Sequence, residues 1–387
     1  MDRGGEGPLR GGLQPLAAGR EATAALRYPR VHGHPPFIRK RALIVSERRQ
    51  PGRRLREAVL ASLGEAGLPG ERLMLAVSGG IDSVCLAHVL AGLGRQRGFE
   101  LALGHVNHGL RGAESDADEA AVRDLAAKLG VAVYGRSVRP DALREGCSSR
   151  ERPTRQEAAR TLRYKALREI ADDWGATRLV TAHNADDQLE TVLLRLLRGC
   201  GPDALAGIRV RSQDGFLLRP MLEVPRSLIQ EYAGAAGLCW REDSSNASLR
   251  YTRNRLRREI LPLLREHFNP RLSEAVGRLA RAQERDRDWI EGLVEVEAAR
   301  RFCERDGVLQ IDCRGWQALP EALALRLARQ AMAQWGAARD VRETHLKRFS
   351  RFLAGAAPGR VLELPAGLRV RVGARHAVLY RAKGNRP

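Results

Sequence analysis

Leu73-Met74-Leu75-Ala76-Val77-Ser78-Gly79-Gly80-Ile81-Asp82-Ser83 is the stretch on which the fold turns. Five apolar residues of strand character end in a glycine turn, and a helix is expected directly behind it, over 83–94. The glycines let backbone N–H groups approach an anion closely, and a helix N-terminus favours negative charge. Ser78 and Ser83 add hydroxyl donors. Asp82 is the odd member, because a bare carboxylate beside a phosphate repels it unless a divalent cation stands between them. The loop is therefore read as a polyphosphate site with its metal, with a polar turn and helix cap as the competing explanation. The chain has no G-x-x-x-x-G-K-S/T, so this is not a Walker loop.

Outward from Leu73 the pattern repeats as strand, loop and helix. Strands are expected at 73–77, 101–106, 131–134 and 178–182, and helices at 83–94, 115–129, 154–174 and 186–198. Such alternation predicts right-handed βαβ units, hence a doubly wound parallel sheet of α/β class. Ligands in these sheets sit at the carboxyl ends of the strands, which puts Ser78, the His105–Arg111 loop and His183 on one rim. Leu55 to Ala66 reads as a lead-in helix. Beyond about 203 the pattern loosens. Helices are expected at 226–236, from about 253, from 271 to 302, and near 320–335 and 341–354, with strand-like pieces at 308–312, 360–364, 368–373 and 377–381. This describes a smaller helical and α+β domain. The expected division is 1–52 as a basic, disordered tail, 53–250 as the catalytic domain and 251–387 as the second module.

Composition narrows the partners. A net charge of +20 and a pI near 10.8 imply a polyanion, and nucleic acid fits best. Nearly all of that charge is arginine, which suits bidentate phosphate contact, although GC-rich coding accounts for the preference equally well. No apolar run reaches the length of a membrane span and no signal-peptide pattern opens the chain, so a cytoplasmic protein without membrane contact is expected. The six cysteines include no C-x-x-C pair, which argues against zinc ribbons, iron–sulfur clusters and redox dithiols. Cys85 reads as a small buried apolar residue.

Three further blocks carry chemistry. His105-Val106-Asn107-His108-Gly109-Leu110-Arg111 follows the second strand and lacks a third metal ligand nearby, so it reads as a polar loop facing nucleotide or RNA, with a satisfied structural loop as the competing reading. Thr181-Ala182-His183-Asn184-Ala185-Asp186-Asp187-Gln188-Leu189-Glu190-Thr191 enters a helix on which Asp187 and Glu190 share a face. Acids complement a helix N-terminus in any protein. That explains Asp186 and Asp187 but not Glu190 beside His183; carboxylates there suit Mg²⁺, a cationic substrate, or its proton. Arg160 and Arg163 are neighbours on an expected helix and suit a phosphate. Further on, Arg250, Arg253, Arg255, Arg257 and Arg258 put five arginines into nine residues with Tyr251 and no acid. A solvated helix face normally mixes signs, so an RNA-tracking contact is favoured.

Ser78 to Ser83 resembles the PP-loop of the ATP pyrophosphatases, which adenylate an oxygen by cleaving ATP between its α and β phosphates. Taken with HVNHGLR, AH-x-x-DDQ-x-ET followed by LLRLLRG, and the ED-SSN…RYTRNRLRREILPLL block, the chain resembles the tRNA(Ile)-lysidine synthases over roughly residues 70 to 380. The resemblance implies an adenine nucleotide α-hydrolase-like fold and a two-step reaction on the wobble cytidine of a CAU anticodon in isoleucine tRNA. The cytosine C2 oxygen is first adenylated, and the ε-amine of free L-lysine then displaces AMP. Carried onto this sequence, Ser78, Gly79, Gly80, Ile81, Asp82, Ser83, His105, Arg160 and Arg163 would hold ATP, and Asp82 and Asp187 would hold Mg²⁺. Asp187 and Glu190 would position lysine, with His183 near the adenylate. His108, Arg111 and the five arginines would meet tRNA.

Three departures stand out. Asn184 occupies a position where the family usually has a second histidine, Pro202 stands where an apolar residue is usual, and the chain resembles a shorter form with one C-terminal module. The sequence leaves the oligomeric state open, a homodimer included. The alternative function is a PP-loop tRNA thiolase acting on an anticodon-loop base, which the missing cysteine pair disfavours. A small-molecule amidotransferase leaves the charge without purpose, and a non-catalytic RNA binder leaves the two acidic motifs without purpose.

Overall fold

The computed structural model describes residues 40–107, 113–144, 153–241, 251–337 and 341–381. Contacts divide the chain into a short unit, Met1–Val45, and the unit Ser46–Pro387, which carries both sheets and the site. The first sheet is parallel throughout, in the order β3-β2-β1-β4-β5: β1 is Arg72–Ala76, β2 Glu100–Asn107, β3 Ala132–Ser137, β4 Arg178–Val180 and β5 Leu217–Leu218. The chain builds outward from β1 through β2 to β3, then returns to β1's other edge with β4. That reversal opens a crevice between the carboxyl ends of β1 and β4, where Ser78 and His183 emerge.

Burial explains each layer. The lead-in helix expected over Leu55 to Ala66 is α1 (Lys40–Leu63), whose Leu55, Val59 and Leu63 are fully buried one turn apart. It starts earlier than the expected tail boundary at 52 and carries Pro51 inside it; Pro51-Gly52 ordinarily ends a helix, which is why the sequence hides this start. Next comes α2 (Ile81–Arg97), which is buried on nearly every side because it lies between the sheet and its neighbours. The thiol of Cys85 is enclosed there, and burial pushes it up to about 12, so it is packing rather than a nucleophile. The crossovers α3 (Ala113–Leu129) and α4 (Arg155–Trp174) follow, and α4 opens on a Thr154–Glu157 capping box.

The helix carrying the acidic motif is α5 (Ala185–Leu197), trailed by the single turn α6 (Pro202–Leu205), where Pro202 sits at the first helical position, a place that suits proline. The strand β5 has two residues and shows no periodicity, so the sequence did not reveal it. Then α7 (Arg226–Ala235) returns to pack on α2.

The arginine block forms α8 (Thr252–Arg255), a π-helical turn over Leu256–Ile260, and α9 (Leu261–His267). A separate apolar cluster of Leu189, Leu256 and Leu261, with Leu193 and Val276, fastens this segment beneath α5. The thirty-residue α10 (Leu272–Arg301) begins in that cluster and ends with Val294 and Ala298 in the second core. That core lies between α11 (Glu321–Gln334), α12 (Glu343–Gly355) and an antiparallel sheet in the order β6-β7-β10-β9-β8. Its strands are β6 (Phe302–Arg305), β7 (Val308–Asp312), β8 (Val361–Glu363), β9 (Leu368–Val372) and β10 (His376–Arg381). The expected helix from 271 to 302 stops where β6 begins, and no strand is expected there. The overlooked signal is Asp306-Gly307, both at positive φ, the two-residue turn that closes a hairpin.

The second core rests on Trp316 and Phe349, both fully enclosed, with Trp316 Nε1 donating to Ser350 Oγ at 3.0 Å. Phe349→Ala is expected to cost about 3–5 kcal/mol. Urea unfolding followed by tryptophan fluorescence should show this as an earlier midpoint, whereas Val361→Ala, at the exposed edge of the same sheet, should barely move it.

Candidate active site

The loop after β1 has the geometry of an anion cradle. Gly79 takes φ +82, a backbone state that L side chains rarely adopt, and this turn lets the chain double back into α2. Gly80 caps α2 without any side-chain bond, so no side chain occupies the free N–H groups of the first turn. Ser83 Oγ accepts from the Ser78 N–H at 3.3 Å and donates to the Gly80 carbonyl at 2.9 Å, fixing both ends of the loop. The Arg241 N–H donates to the Gly79 carbonyl at 3.0 Å while its guanidinium reaches Asp118 at 2.6 Å, so the chain after α7 also closes on the loop.

Three helix N-termini meet at Asp82. Asn184 caps α5 by accepting from the Asp186 and Asp187 N–H groups at 2.9 and 3.2 Å. Its amide Nδ2 donates to Asp82 Oδ1 at 3.0 Å, and Asp187 Oδ2 accepts from the Asn184 backbone N–H at 3.0 Å. One buried asparagine thus joins the two carboxylates expected to hold a metal. Its side chain caps and donates at the same moment, a local reason for asparagine at this departure from the family pattern. The other Asp82 oxygen accepts from Arg226 Nη1 at 3.2 Å, from the first residue of α7. Burial raises the pKa of Asp82 and nearby Asp187 adds to the rise, against the pull of Arg226.

The acidic face of α5 is already compensated. Glu190 is fully buried, and an isolated charge there is prohibitively costly. Arg257 reaches it through Nε at 2.5 Å and Nη2 at 3.1 Å. Arg253 reaches it through Nε at 2.5 Å and extends Nη2 to Asp187 at 2.7 Å. Arg253 and Arg257, expected on an RNA-tracking face, here pair with the acids of α5. Four residues apart on one helical side, they turn toward α5 because a buried carboxylate requires them. Arg255 and Arg258 lie on the exposed side, Arg255 with Glu259 at 3.6 Å. Asp186 and Gln188 are structural. Asp186 pairs with Arg265 and Ser273, and Gln188 pins the turn after α6 by accepting from the Ile208 N–H at 2.7 Å.

Across β4 lies a basic cluster. Arg160 and Arg163 stand over the Tyr164 ring at 5.2 and 5.5 Å, and Arg219 donates to the Arg209 carbonyl at 2.7 Å. The Tyr164 hydroxyl is buried in this cluster, close to Arg163 and Arg219. Half-buried His183 is held by Thr181 at 3.0 Å, and its pKa falls to about 3 through burial and then through Arg219, Arg160, Arg163 and Arg253. His105 serves the site indirectly. Its Nδ1 bonds the Val77 carbonyl at 2.9 Å and so braces the loop, while its ring lines a small cavity of about 140 Å³ with Glu119 and Arg123. His108, Arg111 and Arg250 lie outside the described residues. A larger cavity of about 640 Å³, between α1, α2 and α7, holds none of the expected site residues.

Arg219, Arg226 and the double role of Asn184 were missed in the sequence. Arg226 did leave a signal: a cation in the first turn of a helix opposes the helix dipole and calls for an anion.

A PP-loop domain model matches residues 53–264. A tRNA(Ile)-lysidine synthase of Dehalococcoides mccartyi is 35% identical over 84% of this chain and 70% of its own length. Those of Solibacter usitatus and Clostridioides difficile are 38% and 31% identical over 78% and 81% of this chain. The chain spans 66% and 68% of the length of these two. A solved U34-tRNA thiolase of Methanococcus maripaludis shares the fold, with a TM-score of 0.52 at 19% identity over 61% of this chain and 80% of its own.

His183 should stay neutral across pH 5–8 in the ligand-free protein, seen as an imidazole proton resonance that does not titrate in that range. The sign for stability follows. The unfolded chain takes up the proton near pH 6.5 and the folded chain only near 3, so stability falls as pH drops through that window. His183→Gln should lose less stability than the wild type between pH 6.5 and 4 and match its pH dependence above 7.

Proposed function

The chain belongs to the tRNA(Ile)-lysidine synthases, ATP-using ligases built on the PP-loop domain, and on that premise we propose a substrate for each part of the rim. The reaction joins free L-lysine to C2 of the wobble cytidine in the CAU anticodon of isoleucine tRNA. One observation carries this reading: a polyphosphate loop, a paired-carboxylate face and a basic cluster all meet at the β1–β4 crevice.

ATP is taken by the loop, with its pyrophosphate portion on the uncapped N-terminus of α2. Asp82 and Asp187 suit Mg²⁺, which uses one or two carboxylates and fills its remaining positions with water and phosphate oxygens. When bound, Mg²⁺ supplies positive charge to the leaving pyrophosphate.

The first step forms a bond from the cytosine C2 oxygen to the α-phosphorus and breaks the bond to the bridging oxygen, which departs with its electron pair in pyrophosphate. Arg160, Arg163 and Arg219 stabilise the charge on the transferred phosphoryl group. The second step forms the Nε–C2 bond as the C2–O bond breaks, and AMP leaves with that oxygen. Lysine's amine, with an ordinary pKa of roughly 10.4, arrives protonated and must lose a proton to attack. Asp187 and Glu190 hold the ammonium, and Asp187, the less enclosed of the two, receives the proton. His183, kept neutral by its surroundings, stands beside the adenylate without adding charge. Attack by nitrogen is favoured over sulfur because the sequence holds no C-x-x-C pair of the kind a thiolase uses.

The 251–387 module faces the tRNA with Arg255 and Arg258. A homodimer would cover the exposed apolar stripe Trp289, Leu293 and Val296 on α10. Among the described residues no helix is long and apolar enough to cross a membrane, and the enzyme works in the cytoplasm.

The test uses the whole protein with ATP, Mg²⁺, labelled lysine and unmodified isoleucine tRNA carrying CAU. Label should enter the tRNA only with ATP present; none, or label independent of ATP, would sink the reading. Asp82→Ala should slow tRNA-dependent pyrophosphate release by about 10²–10³-fold.

A further inference from the structure

Arg226 sits where a helix least tolerates a cation. It is the first residue of α7, whose N-terminus has no side-chain cap, and the helix dipole there already presents positive charge. The N-termini of α2 and α5 point at the same place, because Asp82 lies in the first turn of α2 and bonds the Asn184 cap of α5. The Ala185 N–H donates to the Val224 carbonyl at 3.0 Å, which ties the start of α5 to the approach of α7. Pro225 then fixes the backbone immediately before Arg226 at φ −66. Three helix ends and a guanidinium therefore converge on one carboxylate. Asp82 and, through Asn184, Asp187 are the carboxylates at this junction, and a polyphosphate with its cation matches the positive potential that the helix ends and Arg226 present.

The side chain is also free to leave. Among the described residues Arg226 makes one ion pair, to Asp82 at 3.2 Å, with a third of its side chain exposed. A pair so placed contributes little net stability. Asp82 cannot give the same oxygen to a divalent cation and to an arginine without bringing two like charges together. Loading the loop thus releases the guanidinium within reach of the phosphates that displaced it.

Building on the ATP-adenylation reading above, we propose that Arg226 is a catalytic residue of the first step, leaving Asp82 on nucleotide binding to hold the departing pyrophosphate. In the empty site it neutralises Asp82. In the loaded site its planar fork binds two phosphate oxygens as the α–β bond breaks and the bridging oxygen takes the electron pair. The same residue keeps the carboxylate charged before metal arrives and stabilises the leaving group afterwards.

The decisive measurement is equilibrium binding of magnesium pyrophosphate to the full chain by calorimetry, without tRNA or lysine. Arg226→Gln should weaken that binding at least 10-fold and slow tRNA-dependent pyrophosphate release by about 10²–10³-fold. Mn²⁺ binding to the ligand-free protein should meanwhile hold or tighten, because Asp82 has lost its competitor. Arg226→Lys, which keeps the charge, should recover part of the pyrophosphate affinity and gives a second readout if the glutamine variant folds poorly. Pyrophosphate affinity within twofold of wild type in either variant, or equal loss in both, would overturn the proposal. A purely structural arginine would lower the melting temperature and leave affinity per folded molecule unchanged. Failure of the wild type to make lysidine would sink the substrate reading, while the pyrophosphate measurement decides Arg226 separately.

Discussion

Asp82 is one carboxylate answered from three helices, and the site depends on that constraint. A desolvated charge demands donors. Those available are the amide of Asn184, from the cap of α5, and the guanidinium of Arg226, from the start of α7. Because these donors belong to elements more than a hundred residues away in sequence, satisfying one carboxylate sets the depth of α5 and α7 against α2. The polyphosphate loop and the acidic face of α5 are held in register by an electrostatic requirement as well as by apolar packing.

A second buried charge repeats the logic one turn further along α5. Glu190 is fully buried, and a charge taken out of water needs a partner, so it draws Arg253 and Arg257 out of the basic segment. The leucines on the same segment, Leu256 and Leu261, seal the seam beneath. The basic segment is thus anchored to α5 by the acids of that helix. Ion pairs of this kind gain little stability over apolar packing. Their use here is geometric: they fix which side of α8 faces inward and leave Arg255 and Arg258 on the other.

Much of this was legible in the sequence, for physical reasons that differ by element. The apolar run before Ser78 and the alternation of strand and helix gave the parallel sheet, and strand-end logic placed Ser78 and His183 on one rim. Spacing put Asp187 and Glu190 on one face. Spacing could not say which way an arginine turns, because Arg253 and Arg255 look alike in a basic run and only a distant buried carboxylate separates them. Nor could it reveal that Asn184 has two partners, since one lies a hundred residues upstream. The two-residue β5 carries no period, and β6 was hidden because a charged helix runs straight into it. His105, expected to face nucleotide, turns its Nδ1 to the Val77 carbonyl, a contact that spacing could not reveal because a histidine at a strand end can meet the backbone as readily as a substrate.

The thirty residues of α10 form a beam of about 45 Å. One end is embedded beneath α5 and the other in the core of the antiparallel sheet. Such a beam makes the two halves mechanically one instrument. A repacking around Ala298 that tilts α10 re-aims Glu190 without touching it. Sequence drift in the far core is therefore filtered by what the near end must hold still.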